Sequence, residues 1–267
     1  MKISFIGGGV MAEALISGVL RSGLITPDNI SVSEPVSARR KHLTNTHSIR
    51  VEPTANSVVP GADLVVLAVK PQNLDEVMPG LRKLLGNEQS VASIIAGARI
   101  TTLSKGLGTK AVIRIMPNTP AQIGAGMTVW SATDAVPPRI LNITKGMLDT
   151  LGTELQVKDE KLIDMATALS ASGPAYVFLF IEALIDAGVY MGMPRDMSTM
   201  LTIQTVLGSA QMVQETGQHP AKMRDMVTSP GGTTAEALRA LENAGFRRAI
   251  IDAVAAAYHK SRQLGGD

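Results

Sequence analysis

Short apolar runs and amphipathic stretches alternate along the first half of the chain. The runs at 63–68 and 91–95 are almost continuously apolar, which is typical of parallel strands covered on both faces. The same pattern predicts further strands at 2–6, 29–33, 111–116 and 127–131, and helices at 10–22, 36–44, 73–85, 100–106 and 134–150. Strands that alternate with helices in this way predict the α/β class, with a doubly wound and mostly parallel sheet.

Helical periodicity replaces the strand signals from about Lys161 onward. Helices are predicted at 161–171, 174–191, 195–216, 220–227, 233–243 and 246–262. Pro174, Pro194 and Pro220 stand where three of these helices could begin, and proline is well tolerated in a first helical turn. We therefore predict two domains, a doubly wound one at 1–160 and an all-helical one at 161–267.

The helix predicted at 174–191 is apolar on nearly every side. Such a helix must be buried all round, and the helical half alone hardly suffices to bury it. We therefore expect part of its surface to meet a second copy of the chain, which would make the helical half a dimerisation domain. The central core helix of a monomer is the alternative. Glu182 and Asp186 interrupt the apolar run and favour a buried helix over a membrane span.

Composition narrows the classes of partner. Of 267 residues, 45% are hydrophobic and 18% are charged, which indicates a globular protein. Net charge is only +2, so no nucleic-acid partner is expected. The first strand starts at Lys2 and leaves no room for a signal peptide, so we expect a cytoplasmic protein. There is no cysteine, and no metal site is predicted because the histidines lack ligand spacing and are expected at the surface or at helix ends: His42, His47, His219 and His259.

A glycine pattern lies between the first strand and the first helix. Gly7, Gly9 and Ala12 form G-x-G-x-x-A, the turn of a Rossmann-type dinucleotide-binding unit. Gly7 suits a tight turn, Gly9 lets the backbone approach a pyrophosphate, and the phosphates would lie at the helix N-terminus. A purely structural glycine turn is the alternative. The predicted cofactor contacts here are Ile6, Gly7, Gly8, Gly9, Val10, Met11 and Ala12.

The end of the second strand bears on which nicotinamide nucleotide is used. Glu34 follows this strand, where an acidic residue binds the ribose 2′-hydroxyl and repels a 2′-phosphate. Arg39 lies in the next helix, where it could accept a phosphate with help from Ser33 or simply face solvent. The sequence therefore leaves NADPH or NADH open, with a modest preference for tolerance of NADH.

Other candidate residues follow the remaining strands. Ligands of open α/β sheets bind beyond the carboxyl ends of the strands, where small residues at 96–98 could lie against a nicotinamide. Two prolines stiffen the loop that carries Asn118. Ordinary loop chemistry is the alternative for each position. The further predicted cofactor contacts are Asn56, Ala68, Val69, Lys70, Pro71, Ala96, Gly97 and Asn118.

Two stretches of the helical half are unusual for ordinary helices. Residues 170–176 place two serines and a glycine between two apolar helices. Residues 228–234 form a turn rich in glycine and hydroxyl groups just before a helix, which is a natural site for a carboxylate. A capping box, with Thr233 as the cap and Glu236 as its partner, is compatible with that role.

Motifs in both halves together resemble the pyrroline-5-carboxylate reductases. The matching stretches, in the order of that family, are Gly7–Ala12, Ala68–Pro71, Met116–Pro120, Ser172–Tyr176 and Ser229–Thr234. The resemblance implies reduction of 1-pyrroline-5-carboxylate to L-proline with NAD(P)H, the last step of proline biosynthesis. It also implies homodimers of interlocked helical domains, often assembled into larger homo-oligomers, with substrate between one nucleotide domain and helices of both subunits.

The resemblance also assigns roles to individual residues. Ser229 and the N–H groups of Gly232 and Thr233 would bind the substrate carboxylate, and the Thr234 hydroxyl would contact the ring nitrogen as the catalytic group. The substrate-binding set implied in this way is Glu160, Ser172, Ser229, Gly232, Thr233 and Thr234. The chain departs from the family pattern at three positions, where family members often have glycine, asparagine and serine: Ala171, Met226 and Glu34.

Two other function classes fit parts of the sequence. A β-hydroxyacid dehydrogenase also joins a glycine-loop domain to helices, but it needs a lysine or similar base early in the helical half. Lys161 stands at the very start of its helix, and the helix at 174–191 has no lysine. A non-catalytic nucleotide-binding protein would keep the fold, although the turn at 229–234 argues against it.

Overall fold

The computed structural model describes residues 1–266, and its strands form a single sheet. The strands are β1 (Ile3–Ile6), β2 (Ile30–Ser33), β3 (Arg50–Glu52), β4 (Leu64–Leu67), β5 (Ser90–Ser93), β6 (Val112–Met116), β7 (Gly126–Ala132) and β8 (Gly152–Gln156). Across the described residues they are ordered β3-β2-β1-β4-β5-β6-β7-β8, with β6 and β7 antiparallel and the other neighbours parallel. The predicted doubly wound, mostly parallel sheet is confirmed.

Strands β3 and β8 were not predicted from the sequence. Both lie at the edges of the sheet, where one side has no neighbouring strand. β3 has only three residues, and Thr153, Leu155 and Gln156 of β8 are exposed. An edge strand that is short or exposed needs no continuous apolar run, so the signal that marks the central strands is missing there.

Alternate residues of the central strands point into two separate apolar clusters. Leu64 and Val66 of β4 pack into one cluster, and Val65 and Leu67 pack into the other. The helices that follow the strands are α1 (Val10–Arg21), α2 (Ser37–His47), α3 (Leu74–Leu84), α4 (Ile100–Leu107), α5 (Pro138–Asp149) and α6 (Lys161–Ala166). Because side chains alternate along a strand, helices on both faces bury every residue of β4.

Five helices, counted among residues 173–266, make up the rest of the fold. They are α7 (Gly173–Tyr190), α8 (Arg195–Thr216), α9 (Pro220–Met226), α10 (Thr233–Asn243) and α11 (Phe246–Leu264). The Ser198 hydroxyl of α8 donates to the Ile185 carbonyl of α7 at 2.8 Å. A side chain at Gly188 would collide with Ser198, so the small residue lets these two helices approach closely.

The predicted burial of α7 does not occur within one chain. Phe178 is 59% exposed and Leu179 is 66% exposed, and among the described residues of this helix only Gly188 is buried. The helical run Lys161–Tyr190 is long and apolar enough, by length and composition alone, to cross a membrane. Its apolar surface is therefore open to a partner, as the sequence predicts for a dimerisation helix.

The chain forms two compact units whose boundary differs from the predicted one at residue 160. The first unit contains residues 1–172 and the residues from Ala257 onward, and the second contains residues 173–256. Helix α6 therefore belongs with the sheet rather than with the helical unit, and so does the end of α11.

A buried arginine explains this division. Arg114 of β6 is fully buried, and its guanidinium pairs with Asp164 at 2.6 Å and with Glu160 at 2.8 Å. A buried guanidinium needs carboxylate partners, so it fixes α6 against the sheet. Ser261, near the end of α11, donates a hydrogen bond to Asp164 at 3.4 Å. We call Arg114, Glu160, Asp164 and Ser261 the arginine cluster.

Replacement of Asp164 by alanine tests the arginine cluster. Loss of this buried carboxylate leaves Arg114 with one partner, and we expect the free energy of unfolding to fall by about 3 kcal/mol. Urea unfolding measures the change. Asp149→Ala is the control, because Asp149 makes an exposed ion pair with Lys145, and its unfolding midpoint should stay at the wild-type value. Equal unfolding midpoints for the two variants would show that the arginine cluster does not stabilise the fold.

Candidate active site

The glycine loop after β1 has the geometry that the sequence predicts. Gly7 has φ +97°, and a Cβ on it would lie 2.6 Å from the carbonyl oxygen of Ala68. Gly9 is exposed and is the N-cap of α1, and a Cβ on Gly9 would meet no atom within 4 Å. Ala12 is buried against the sheet. Gly7 is therefore fixed by the fold, whereas the space beside Gly9 is open to a phosphate at the start of a helix.

The predicted cofactor residues lie in the loops at the carboxyl ends of the strands. Strands β1, β2 and β4 are adjacent and parallel, so the loops after them meet at their carboxyl ends. Gly7 follows β1, Glu34 follows β2, and Ala68 follows β4. Asn56 and Lys70 are exposed in the loops after β3 and β4: Asn56 lies in a short 3₁₀ turn, and Lys70 directly precedes another. The arrangement is that of a dinucleotide site in an open α/β sheet.

Glu34 has a bracing role that the sequence did not reveal. It is only 8% exposed, and its two carboxylate oxygens accept hydrogen bonds from the N–H groups of Gly8 and Val36, each at 2.9 Å. The carboxylate therefore stabilises the conformation of the glycine loop by hydrogen bonding to Gly8. Each oxygen can still accept a further hydrogen bond, so contact with the ribose stays a prediction.

Arg39 is half-buried and bound within the protein, and its predicted contact with a phosphate stays a prediction. Its Nε donates to the Gly8 carbonyl at 2.5 Å, and its Nη2 pairs with the Glu13 carboxylate at 2.6 Å. Glu13 also contacts the Nε2 atoms of His42 at 2.7 Å and His47 at 3.0 Å. We call Glu13, Arg39, His42 and His47 the Glu13 cluster. Sequence reasoning missed it because partners 26 to 34 residues apart leave no local pattern.

The surroundings of Glu13 keep it ionised. Burial raises the pKa of this carboxyl, but hydrogen bonds from His47, His42 and Arg39 outweigh burial and lower the pKa from 4.5 to about 2. A carboxylate with this pKa carries its full charge at neutral pH. The ionised Glu13 is therefore connected to the glycine loop through Arg39, which also hydrogen-bonds to the Gly8 carbonyl.

The loop after β5 is fixed by the end of α11, which belongs to the same unit. Gly97 has φ +77°, and a Cβ on it would lie 2.8 Å from the Cβ of Leu264 and 3.0 Å from its carbonyl carbon. Ala96 is half-buried beside it. The small residues predicted at a nicotinamide therefore have a second cause, which is the close approach of the chain's own helix.

Asn118 binds the protein itself. Its Oδ1 accepts a hydrogen bond from the Met127 N–H at 2.9 Å, and its Nδ2 lies 3.3 Å from the Ser170 carbonyl oxygen. Ser170 belongs to a π-helical segment, Thr167–Ala171, which ends at Ser172. Such segments are frequent at functional sites. Asn118 therefore holds the segment that precedes Ser172 against the loop after β6, and its predicted contact with the cofactor stays a prediction.

Glu160 is also occupied by the protein. One oxygen accepts hydrogen bonds from the Ile100 N–H and from Arg114, both at 2.8 Å. These bonds tie the start of α4 to the arginine cluster. The structure thus gives Glu160 a structural role, and its predicted contact with substrate stays a prediction.

The turn before α10 differs from the prediction in its capping. Gly232, not Thr233, is the N-cap, and Glu236 pairs with Arg239 at 2.6 Å, so the predicted capping box is wrong. The Gly232 N–H donates to the Ser229 carbonyl at 3.0 Å and closes the turn, and its predicted contact with the substrate carboxylate stays a prediction.

The same turn still offers a carboxylate site. Thr233 and Thr234 are the first two residues of α10, and N–H groups in a first helical turn have no acceptor within the helix. Ser229 and Thr233 are exposed, and Thr234 is half-buried. Free N–H groups, hydroxyls and the positive end of the helix dipole together favour an anion.

Comparisons with known proteins cover both halves of the chain. Residues 160–264 match the family model described as pyrroline-5-carboxylate reductase dimerisation. Residues 2–97 match the model of coenzyme F420-dependent NADP oxidoreductases. The chain is 45% identical to the pyrroline-5-carboxylate reductase of Synechocystis over 99% of this chain and 98% of that protein.

Solved structures are similar over the same length. A pyrroline-5-carboxylate reductase from Coxiella burnetii matches with a TM-score of 0.89 and 35% identity, over 98% of each chain. The pyrroline carboxylate reductase of Plasmodium falciparum, solved with NADP bound, matches with a TM-score of 0.90 and 32% identity, over 99% of this chain and 98% of that one. The similarity therefore extends to sequence and backbone together.

Alanine at Gly7 and at Gly9 should have different effects. Gly7→Ala places a Cβ in contact with a backbone carbonyl at a left-handed φ, so we expect a lower melting temperature. Gly9→Ala meets no protein atom, so we expect an unchanged melting temperature and at least tenfold weaker binding of NAD(P)H. Thermal unfolding and nucleotide fluorescence titration separate the two effects. Unweakened nucleotide binding by Gly9→Ala would move the pyrophosphate away from this loop.

Proposed function

The chain belongs to the pyrroline-5-carboxylate reductase family, and from this premise we propose how its residues reduce 1-pyrroline-5-carboxylate to L-proline with NADPH or NADH. It is an NAD(P)H-dependent oxidoreductase, and the reaction is the final step of proline biosynthesis. Similarity to curated reductases along almost the whole chain carries this conclusion. The β-hydroxyacid dehydrogenase and the non-catalytic protein are therefore set aside.

The glycine loop fits a dinucleotide. The open space beside Gly9 and the start of α1 can receive a pyrophosphate, while Gly7 and Ala12 let the strand, loop and helix pack closely. When bound, the nicotinamide ring supplies the hydride. The small, half-buried Ala96 suits that end of the cofactor at the carboxyl ends of the strands, whereas the space beside Gly97 is filled by Leu264.

The turn before α10 suits the substrate carboxylate. We assign the carboxylate to the Ser229 hydroxyl and to the N–H groups of Gly232 and Thr233, which lie at the positive end of a helix. The Gly232 N–H also donates to the Ser229 carbonyl, which gives the turn its shape. The role of these residues is to fix one end of a small, rigid ring.

Thr234 is assigned to the ring nitrogen. A protonated cyclic imine is electrophilic at carbon, so hydride addition there turns the C=N electron pair into the lone pair of a secondary amine. The Thr234 hydroxyl can accept a hydrogen bond from the iminium N–H and then donate one to the amine. Since the iminium charge already activates the carbon, positioning supplies most of the catalysis.

We also propose that the protein works in the cytoplasm as a homodimer within a larger homo-oligomer. The dimerisation model covers residues 160–264, and the exposed apolar side chains of α7 lie inside that range. A second copy would remove this surface from water, which a soluble enzyme requires. A net charge of +2 fits a protein without a nucleic-acid partner.

An absorbance assay tests the function directly. Purified protein is mixed with pyrroline-5-carboxylate and with NADH or NADPH, nicotinamide absorbance is followed, and proline is measured by chromatography. We expect oxidation of the nucleotide with an equal amount of proline formed. Folded, oligomeric protein that oxidises neither nucleotide would contradict the proposed reaction.

Thr234→Ala should lower kcat about 10- to 100-fold, because it removes a hydrogen bond at the nitrogen whose charge changes. The KM for substrate should change less, since Ser229 and the N–H groups remain. Thr234→Ser keeps the hydroxyl and serves as the matched control, with turnover close to that of the wild type. Full turnover by the alanine variant would remove Thr234 from the mechanism.

A further inference from the structure

The Glu13 cluster lies next to the part of the cofactor site that distinguishes NADH from NADPH. Gly8 hydrogen-bonds to both Glu34 and Arg39: its N–H donates to the Glu34 carboxylate, and its carbonyl accepts from the Arg39 guanidinium. An acidic residue at the Glu34 position marks the ribose 2′-oxygen, and an arginine nearby accommodates a 2′-phosphate. The Arg39 guanidinium would therefore lie beside the ribose of a bound nucleotide, and it is already paired with Glu13.

From this arrangement we propose that Glu13 sets the cofactor preference by occupying Arg39, so that the enzyme favours NADH and loss of the Glu13 charge shifts it toward NADPH. The inference rests on the proposed function and adds a determinant outside the cofactor-contacting residues. Glu13 acts through Arg39 and is a positioning residue.

Two electrostatic effects act in the same direction. A 2′-phosphate must compete with the Glu13 carboxylate for Arg39, whose Nη2 lies 2.6 Å from Oε2. The Glu13 charge also repels the phosphate, and at 22% side-chain exposure this repulsion is only partly screened by water. NADH carries a hydroxyl at the same position, and the pyrophosphate that both nucleotides share experiences the Glu13 charge equally, so the two effects act on the 2′-phosphate alone.

Neighbouring charges do not replace this control. Arg40 donates to the backbone carbonyls of Glu34 at 3.0 Å and of Pro35 at 2.6 Å, so its contribution does not depend on Glu13. His42 and His47 are bound to Glu13 itself, and together with Arg39 they hold its pKa at about 2. The carboxylate is therefore charged at every pH at which the enzyme would work.

Glu13→Gln is the primary test, because glutamine keeps the size of the side chain and can still hydrogen-bond to its neighbours. The ratio of kcat/KM for NADPH to that for NADH should rise about tenfold, which corresponds to about 1.4 kcal/mol. Affinity gives a readout independent of turnover. By calorimetry, 2′,5′-ADP should bind the variant about tenfold more tightly than the wild type, and 5′-AMP should bind both equally.

Arg39 provides the second arm of the test. Arg39→Gln removes the guanidinium and leaves the Glu13 carboxylate with only His42 and His47 as partners, so it should lower the same ratio. In the double variant Glu13→Gln/Arg39→Gln, the gain from Glu13→Gln should shrink to the part that comes from lost repulsion, because no guanidinium is left to be released. Glu154→Gln is the matched control: Glu154 is also buried for the most part and ion-paired with a basic residue, Lys145 at 3.0 Å, but it lies on the strand at the far edge of the sheet.

The outcomes separate this inference from the proposed function. An active wild type whose ratio is unchanged by both Glu13→Gln and Arg39→Gln overturns the inference and leaves the reductase intact. An equal shift in Glu154→Gln also overturns it, because the effect would then be general electrostatics. If the wild type reduced no imine, the calorimetric affinities would still decide the role of Glu13. If Glu13→Gln did not fold, the ratio in Arg39→Gln would decide it.

Discussion

The first unit depends on one fully buried guanidinium. Arg114 lies on a central strand, where water cannot reach it, and the fold must bring carboxylates to it. Asp164 and Glu160 come from the segment after the sheet, and Ser261 comes from the last helix. The arginine cluster therefore decides which parts of the chain pack with the sheet. Glu160 also holds the start of α4 in place, because it accepts a hydrogen bond from the Ile100 N–H.

The candidate site residues divide into those whose groups are open to a ligand and those that hydrogen-bond to their own chain. Backbone N–H groups beside Gly9 and at the start of α10 are open toward anions, whereas several acidic and amide side chains nearby bind their own chain. Glu34 braces Gly8, and Asn118 holds Ser170. Rigid loops of this kind favour catalysis by positioning, because the geometry is fixed before the substrate arrives.

The sequence predicts most of the fold and part of the site, and the reason lies in the range of each signal. Glycine turns, apolar strands and helix periodicity are local patterns, so the glycine loop and the central strands could be predicted. Edge strand β8 is half solvated and lacks that pattern. The Glu13 cluster and the arginine cluster join residues far apart in sequence, such as Arg114 and Asp164. Such pairs become visible only when the backbone is folded, and they also account for the packing of α6 and the end of α11 with the sheet.

The return of α11 to the first unit has a consequence for biosynthesis. A ribosome makes the sheet first, then the whole second unit, and only then the residues from Ala257 onward that pack against Gly97 and Asp164. At roughly 5–20 residues per second, the nascent nucleotide-binding unit waits on the order of ten seconds for its last helical turns. During this interval the loop after β5 and the buried Asp164 lack their covering residues. The unit that is translated first is therefore completed last.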